Sequence, residues 1–484
     1  MELHQRLLLI LACCCGQLAA AGSPPDFPQL ARLAARGARV SAMIQDLDND
    51  QTIAQLDASD RLTPASLSKI AVAAVALDTW APDFSFPTEL RSITAPLNGV
   101  LNGNLVLRGS GDATLDETTL WALAAQLRGA GIRRVTGSLL VERAPFGELA
   151  CDTIDRCASL RRSARAYNAA PSAIGVNYGS WCISVRAPAG ARTATVGGCA
   201  TGELPIALTG TVQVSTGGAG LSVERTTSDG GDRIIVSGSI APGTERQIHR
   251  AMSDPAAGAG LILRSILRQT GVTLDGAVET VAQPISAASQ LLAKVDGLPL
   301  QEQVGRMMRY SSNYIADVLT MGAALARTGV APPSLAAAAQ TLTDAVRSSS
   351  NLPAAGPGPQ MDSGSGLTIS NRLSALDLVN LLRREYHDTR HFPAFYGSFV
   401  APGDASFTYL RSGNTDWQER VALKTGSLSE PYSVNGIAGY LRKKNGGWMA
   451  FAIIVNGSDR LRQIPGEQAL GAARSDLEAL LRSH

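Results

Sequence analysis

Hydrophobic and polar positions along this chain follow two periods, and the period changes more than once. Val40, Ala42 and Ile44 recur every second residue, which predicts a strand over 40–46 with these three inward. Residues 52–56 could pair with it across Asp48-Asn49-Asp50. An Arg/Ala-rich helix opening at Phe27 precedes the pair. Thr63-Pro64-Ala65-Ser66 then reads as a helix start, because Pro suits the first turn and Ser or Thr caps an apolar run; the predicted helix spans 66–79. From about 85 to 297 the texture turns to Gly, Thr, Ser and Val. Strand-like runs fall at 103–108, 138–142, 181–185, 210–214 and 233–237, with one clear helix at 117–129. From about 298 helical periodicity returns over 300–309, 314–326, 334–348 and 374–385. Strands follow at 420–423, 433–441 and 448–455, and a closing helix runs from Arg460.

This order predicts an α/β protein whose ends form one discontinuous domain, 27–86 with 298–484. The middle reads as inserted: a β-rich domain over 87–112 and 201–297, and a second domain nested at 113–200.

Composition sharpens this picture. The 484 residues are 45% hydrophobic and 17% charged, too apolar for a disordered chain. A net charge of +2 lacks the basic excess of a nucleic-acid surface. Only five of the 43 basic residues are lysine (Lys69, Lys294, Lys424, Lys443, Lys444), so each lysine's position carries information.

At the N-terminus, Arg6, an apolar run over 7–15 and Ala19-Ala20-Ala21-Gly22 read as an export signal over 1–21, cut near Ala21. The run is too short to span a bilayer. Ile10-Leu11-Ala12-Cys13 loosely resembles a lipoprotein box, so a lipid anchor at Cys13 is the alternative. The exported chain keeps Cys151, Cys157, Cys182 and Cys199, which allow three disulfide pairings or four buried thiols. Short loop closure favours Cys151–Cys157 with Cys182–Cys199. Zinc is not expected there, since no close Cys-x-x-Cys pair or nearby histidine is present.

Three motifs carry chemistry. Ser66-Leu67-Ser68-Lys69 puts a hydroxyl and an amine three residues apart, on one face of a helix. A serine needs such a base to become a nucleophile, and the apolar residues 70–77 would desolvate the lysine and lower its pKa. Ser311-Ser312-Asn313 stands just before a helix. The same pattern at 349–351 falls in a Pro/Gly loop, and at 433–435 inside a strand. Lys424-Thr425-Gly426-Ser427 follows a strand. There it offers a cation, two hydroxyls for an anion, and a glycine that admits a ligand close to the backbone. Each motif also has an ordinary reading: a helix cap with a surface lysine, a second helix cap, and a turn after an edge strand.

Their order and spacing resemble the active-site-serine, penicillin-binding superfamily. In detail the chain is similar to the class C low-molecular-mass penicillin-binding proteins, the D-alanyl-D-alanine carboxypeptidase/endopeptidases. The stretch of about 240 residues between Ser66 and Ser311 resembles that subfamily's large insertion. Gly109-Ser110-Gly111-Asp112-Ala113-Thr114-Leu115 resembles its Gly-x-Gly-Asp-Pro-x-Leu segment, with Ala113 where proline is usual. Ser365-Gly366-Leu367-Thr368, followed by Asn371, resembles its Asp-Gly-Ser-Gly-Leu-Ser stretch, with Ser363-Gly364 for the usual Asp-Gly and Asp362 displaced by one. The segment before Tyr167-Asn168 is basic (Arg161, Arg162, Arg165), where some members place a carboxylate for a diaminopimelate amine.

The resemblance implies an antiparallel sheet flanked by helices, as in serine β-lactamases and transpeptidases, with large β-rich insertions. It implies a periplasmic carboxypeptidase/endopeptidase that cleaves the terminal D-Ala–D-Ala bond of peptidoglycan stem peptides or D-Ala cross-links, blocked covalently by β-lactams, without cofactor or metal, with peripheral or no membrane contact. Ser66 would be acylated with Lys69 as base. Ser311 would relay a proton, Asn313 hold the substrate amide, and Lys424 tune Ser311 and the potential. Thr425 and Ser427 would bind the terminal carboxylate beside Gly426, and the N–H groups of Ser66 and Ser427 would form the oxyanion hole. A β-lactamase or esterase using the same residues, or a non-catalytic envelope scaffold, are the alternatives. His387-Asp388-Thr389-Arg390-His391 has histidines four apart but no adjacent glutamate, and reads as an exposed helix end.

Overall fold

The computed structural model describes residues 26–147 and 164–484, save 201, 218–219, 229, 287 and 354–355. The expected export signal and the Cys151–Cys157 pairing lie outside the described residues.

A five-stranded antiparallel sheet joins the two ends of the chain. Its order is Val421–Leu428, Val434–Arg442, Trp448–Asn456, Arg39–Asp46, Thr52–Leu56. The N-terminal strand Arg39–Asp46 pairs along its whole length with Trp448–Asn456. The central strand shows why: eight of its nine residues are buried, and the two alternating sets enter different cores. Ala450, Ala452 and Ile454 pack with the helices Ser68–Thr79, Leu300–Tyr310, Asn313–Thr328, Leu335–Ser349 and Ala375–His387. Met449, Phe451, Ile453 and Val455 pack on the other face with Pro28–Ala35 and Gly466–Ser483. Val40, Ala42 and Ile44 share that second core. Period two therefore marks two buried faces here, not a wet face and a dry one.

The middle of the chain builds another core. Its largest sheet orders Val278–Val281, Leu139–Glu142, Leu105–Gly109, Pro87–Ser92 and Gln290–Asp296, with two parallel and two antiparallel pairings. Leu139–Glu142 thus sits in one sheet with strands from either side of it in sequence. Helices Glu117–Gly129 and Pro255–Gln269 cover it. The second helix escaped the sequence reading because its glycines and alanines mask the apolar face. Asp254 caps it by accepting from the N–H groups of Ala256 and Ala257. Cys182 and Cys199 are disulfide-bonded, tying Ser180–Arg186 to the end of the neighbouring strand Thr195–Gly198.

Three expectations change in detail. The strand expected at 420–423 runs on through Leu428, so the Lys-Thr-Gly motif lies inside an edge strand and not after one. The closing helix starts at Gly466 rather than Arg460, because Pro465 and the hydrogen-bonded loop before it precede its first turn. The 387–391 segment is not an exposed helix end throughout: the helix stops at His387, and His391 is buried with Nδ1 3.4 Å from Asp78.

Candidate active site

Ser66 sits on a 3-10 turn, Ala65–Leu67, that leads directly into the helix Ser68–Thr79. The sequence placed Ser66 and Lys69 on one continuous helix. The turn intervenes because Ala65 takes a left-handed conformation, φ +49°. For a residue with a Cβ such a conformation stores strain, which the surroundings must enforce. Two glycines do so. A Cβ on Gly426 would lie 2.8 Å from the Pro64 carbonyl oxygen, and one on Gly366 would lie 2.0 Å from that of Ala65. Edge strand and loop thus press on the turn from two sides at distances only glycine permits.

Lys69 is fully buried, and its Nζ donates to three acceptors: Ser66 Oγ at 2.9 Å, Asn313 Oδ1 at 2.8 Å and the Ser365 carbonyl at 2.6 Å. The amine is thus held between the Ser66 hydroxyl in front and two oxygens behind it. Asn313 is held in turn, its Nδ2 donating to the Tyr167 carbonyl at 3.1 Å. Ser311 ends one helix in a left-handed cap, φ +54°, and Ser312 caps the next by accepting from the N–H of Ile315. This tight helix–helix junction is what presents Ser311 and Asn313 to one cleft. Lys424, also buried, donates to Ser311 Oγ at 2.9 Å and to the Thr425 carbonyl at 2.8 Å. Burial pulls its ammonium down from 10.5 to about 7, since no carboxylate offsets the lost hydration.

Ser66, Ser311, Asn313 and Ser427 open onto a cavity of about 1390 Å³. Lys69 and Lys424 stand behind its wall, each on one serine. Thr425 is nine-tenths buried, outside the lining. The three motifs, far apart in sequence, thus form two Ser–Lys pairs facing one cleft.

Sequence reasoning gave several supports no role. Asp317, fully buried and one turn after Asn313, accepts from the Ser365 N–H at 3.0 Å. That bond fixes the peptide whose carbonyl receives Lys69. Asn371 donates to Ser68 Oγ and to the Ser363 carbonyl, both at 2.9 Å, and accepts from the N–H groups of Asp362 and Ser363. The i, i+4 spacing of Asn313 and Asp317 on one helix was the available signal. A backbone carbonyl such as that of Ser365 leaves none.

The D-Ala-D-Ala carboxypeptidase 3 (S13) family model matches residues 29–476. The chain belongs to that family. It is a serine-type D-Ala-D-Ala carboxypeptidase by this membership. It is 27% identical over 91% of its length, and 84% of the relative's, to a D-alanyl-D-alanine carboxypeptidase of Actinomadura sp. (strain R39). It is 25% identical to D-alanyl-D-alanine carboxypeptidase DacB of Haemophilus influenzae, over 87% of this chain and 86% of that one. The crystal structure of penicillin binding protein 4 (dacB) from Haemophilus influenzae shares the fold with a TM-score of 0.76 at 22% identity, covering 93% of this chain and 99% of that one. Among the described residues no helix is long and apolar enough to cross a membrane.

Proposed function

We propose that this carboxypeptidase acts on peptidoglycan stem peptides through an acyl-enzyme at Ser66. The observation that carries the reading is the buried Lys69 amine 2.9 Å from Ser66 Oγ. In the acylation step the Lys69 amine keeps its N–H groups on Asn313 Oδ1 and the Ser365 carbonyl, turns its lone pair to Ser66 and takes the proton as Oγ attacks the carbonyl carbon of the penultimate D-Ala. The N–H groups of Ser66 and Ser427 hold the oxyanion, each contributing on the order of 3 kcal/mol. Collapse breaks the C–N bond. Ser311, backed by Lys424, passes a proton to the leaving D-Ala amine, and water then hydrolyses the ester by the same base. Asn313 orients the substrate amide. Ser427, on the cavity wall, binds the terminal carboxylate, and Lys424 behind it deepens the positive potential.

A β-lactam presents the same acyl carbon and stops at the ester. The carboxylate among the described cleft-lining residues is Glu430, exposed on the loop past the strand. Nothing there resembles a buried base aimed at the ester, which supports slow release over β-lactamase turnover. Export to the periplasm, by the N-terminal signal or a lipid at Cys13, fits such a substrate. The test is fluorescent penicillin on the mature protein beside Ser66→Ala. A stable Ser66-dependent label with D-alanine release from a pentapeptide supports the reading. No such label overturns it, and a label lost in seconds replaces it with a β-lactamase.

A further inference from the structure

Behind the cleft, the helix that carries Lys69 near its start ends against the last turn of Ala375–His387. Asp78 lies nine residues after Lys69, about 14 Å along the helix axis. Its carboxylate, that of Glu385 and the imidazole of His391 converge, with one ligand atom from each lying within 4.8 Å of the others. We propose that Asp78, Glu385 and His391 bind a zinc ion that clamps the far end of the catalytic helix.

Two of these residues are more than nine-tenths buried, and each brings an atom without a hydrogen-bond partner: Glu385 Oε2 and His391 Nδ1. A buried polar atom left unpaired costs about 1–3 kcal/mol, and more when charged. Two such atoms in one cluster mark a place that a cation would satisfy. Arg384 does not fill it. It donates to Asp78 Oδ2 and to Glu385 Oε1, so one oxygen of each carboxylate is taken and the other, Asp78 Oδ1 or Glu385 Oε2, is left. Arg327 also lies on Asp78 Oδ2, at 3.9 Å, and Arg390 holds Asp388. Burial still pushes the Glu385 carboxyl up to about 7, with Arg384 offsetting only part of the lost hydration.

The His391–Asp78 edge suits zinc. His391 Nδ1 lies 3.4 Å from Asp78 Oδ1 and 3.5 Å from Asp388 Oδ2. Tetrahedral zinc with bonds of about 2.0–2.2 Å has ligand–ligand edges of about 3.3–3.6 Å. One imidazole with two or three carboxylates favours zinc over calcium or magnesium, which take all-oxygen shells. The site is remote from Ser66, so its role is structural.

The experiment uses the full mature chain, stripped with chelator and titrated with zinc chloride by calorimetry, with metal content and melting temperature measured after dialysis. One retained zinc per chain and a rise in melting temperature are expected. Glu385→Gln, of nearly the same shape, should weaken binding at least 100-fold and lose the rise. If circular dichroism shows that variant unfolded, Asp78→Asn on the less buried ligand gives the same reading. Cobalt in place of zinc should give the visible absorption of a tetrahedral site in the wild type alone. Zinc lost on dialysis, or equal binding and melting shifts in wild type and both variants, overturns the proposal.

Discussion

The sheet built from the chain's two ends and the sheets of its middle obey the same alternation but use it differently. Strands Val434–Arg442 and Trp448–Asn456 are nine residues each and buried on both faces. In the middle, Gly231–Ser237 alternates buried with exposed, and Ala207–Gly210 is exposed throughout. A doubly covered sheet cannot shift register without moving two cores, so its edge strand holds Lys424 in one register opposite Ser311. A singly covered sheet of short strands is marginal by itself, and Cys182–Cys199 ties a neighbouring sheet of the same region. Burial on both faces is concentrated in the sheet that carries the Lys-Thr-Gly motif.

The sharpest break of that contrast is chemical. Ser66→Ala and Lys69→Ala should each lower acylation by fluorescent penicillin by about 10⁴-fold or more, while hydrogen exchange in the core of the chain's middle stays unchanged. Next comes the turn. Gly366→Ala puts a Cβ against the Ala65 carbonyl and should cost about 2–4 kcal/mol in denaturant unfolding and about 100-fold in acylation. Cys182→Ser should reverse the pattern. It opens a link spanning 17 residues and should remove about 3 kcal/mol of stability, with acylation within twofold of wild type. Lys424 sharpens the contrast through pH. Its folded pKa is near 7 against 10.5 unfolded, so the unfolded chain binds more protons between these values. Stability should therefore rise with pH across that window. Lys424→Met should flatten the rise and stabilise the fold at pH 7, yet slow turnover about 10²–10⁴-fold. The smallest effect is expected from Ser312→Ala, which loses a helix cap worth about 1 kcal/mol. Its acylation should fall a few-fold as the Ser311–Asn313 junction loosens.

Much of this was legible before any coordinates. Strong periodicity located the long helices and the strands of the end sheet, because each buries a face that repeats over several turns or pairs. The helix Pro255–Gln269 was not legible, since its glycines break the pattern that packing later rescues. His391 was misread because a local segment cannot reveal that Asp78, more than 300 residues away, lies against it.

The sequence by itself determined the reagents: two lysines in an arginine-rich chain, each in a short motif with serines and one beside a glycine, in an order that points to one chemistry. Only the tertiary structure decided their pairing, Ser66 with Lys69 and Ser311 with Lys424. It alone supplied the Ser365 carbonyl, the Asp317 carboxylate beneath it and the strained Ala65 turn. The physical reason is that side-chain identity is written locally, whereas burial, backbone dipoles and close approach are products of packing between segments remote in the chain.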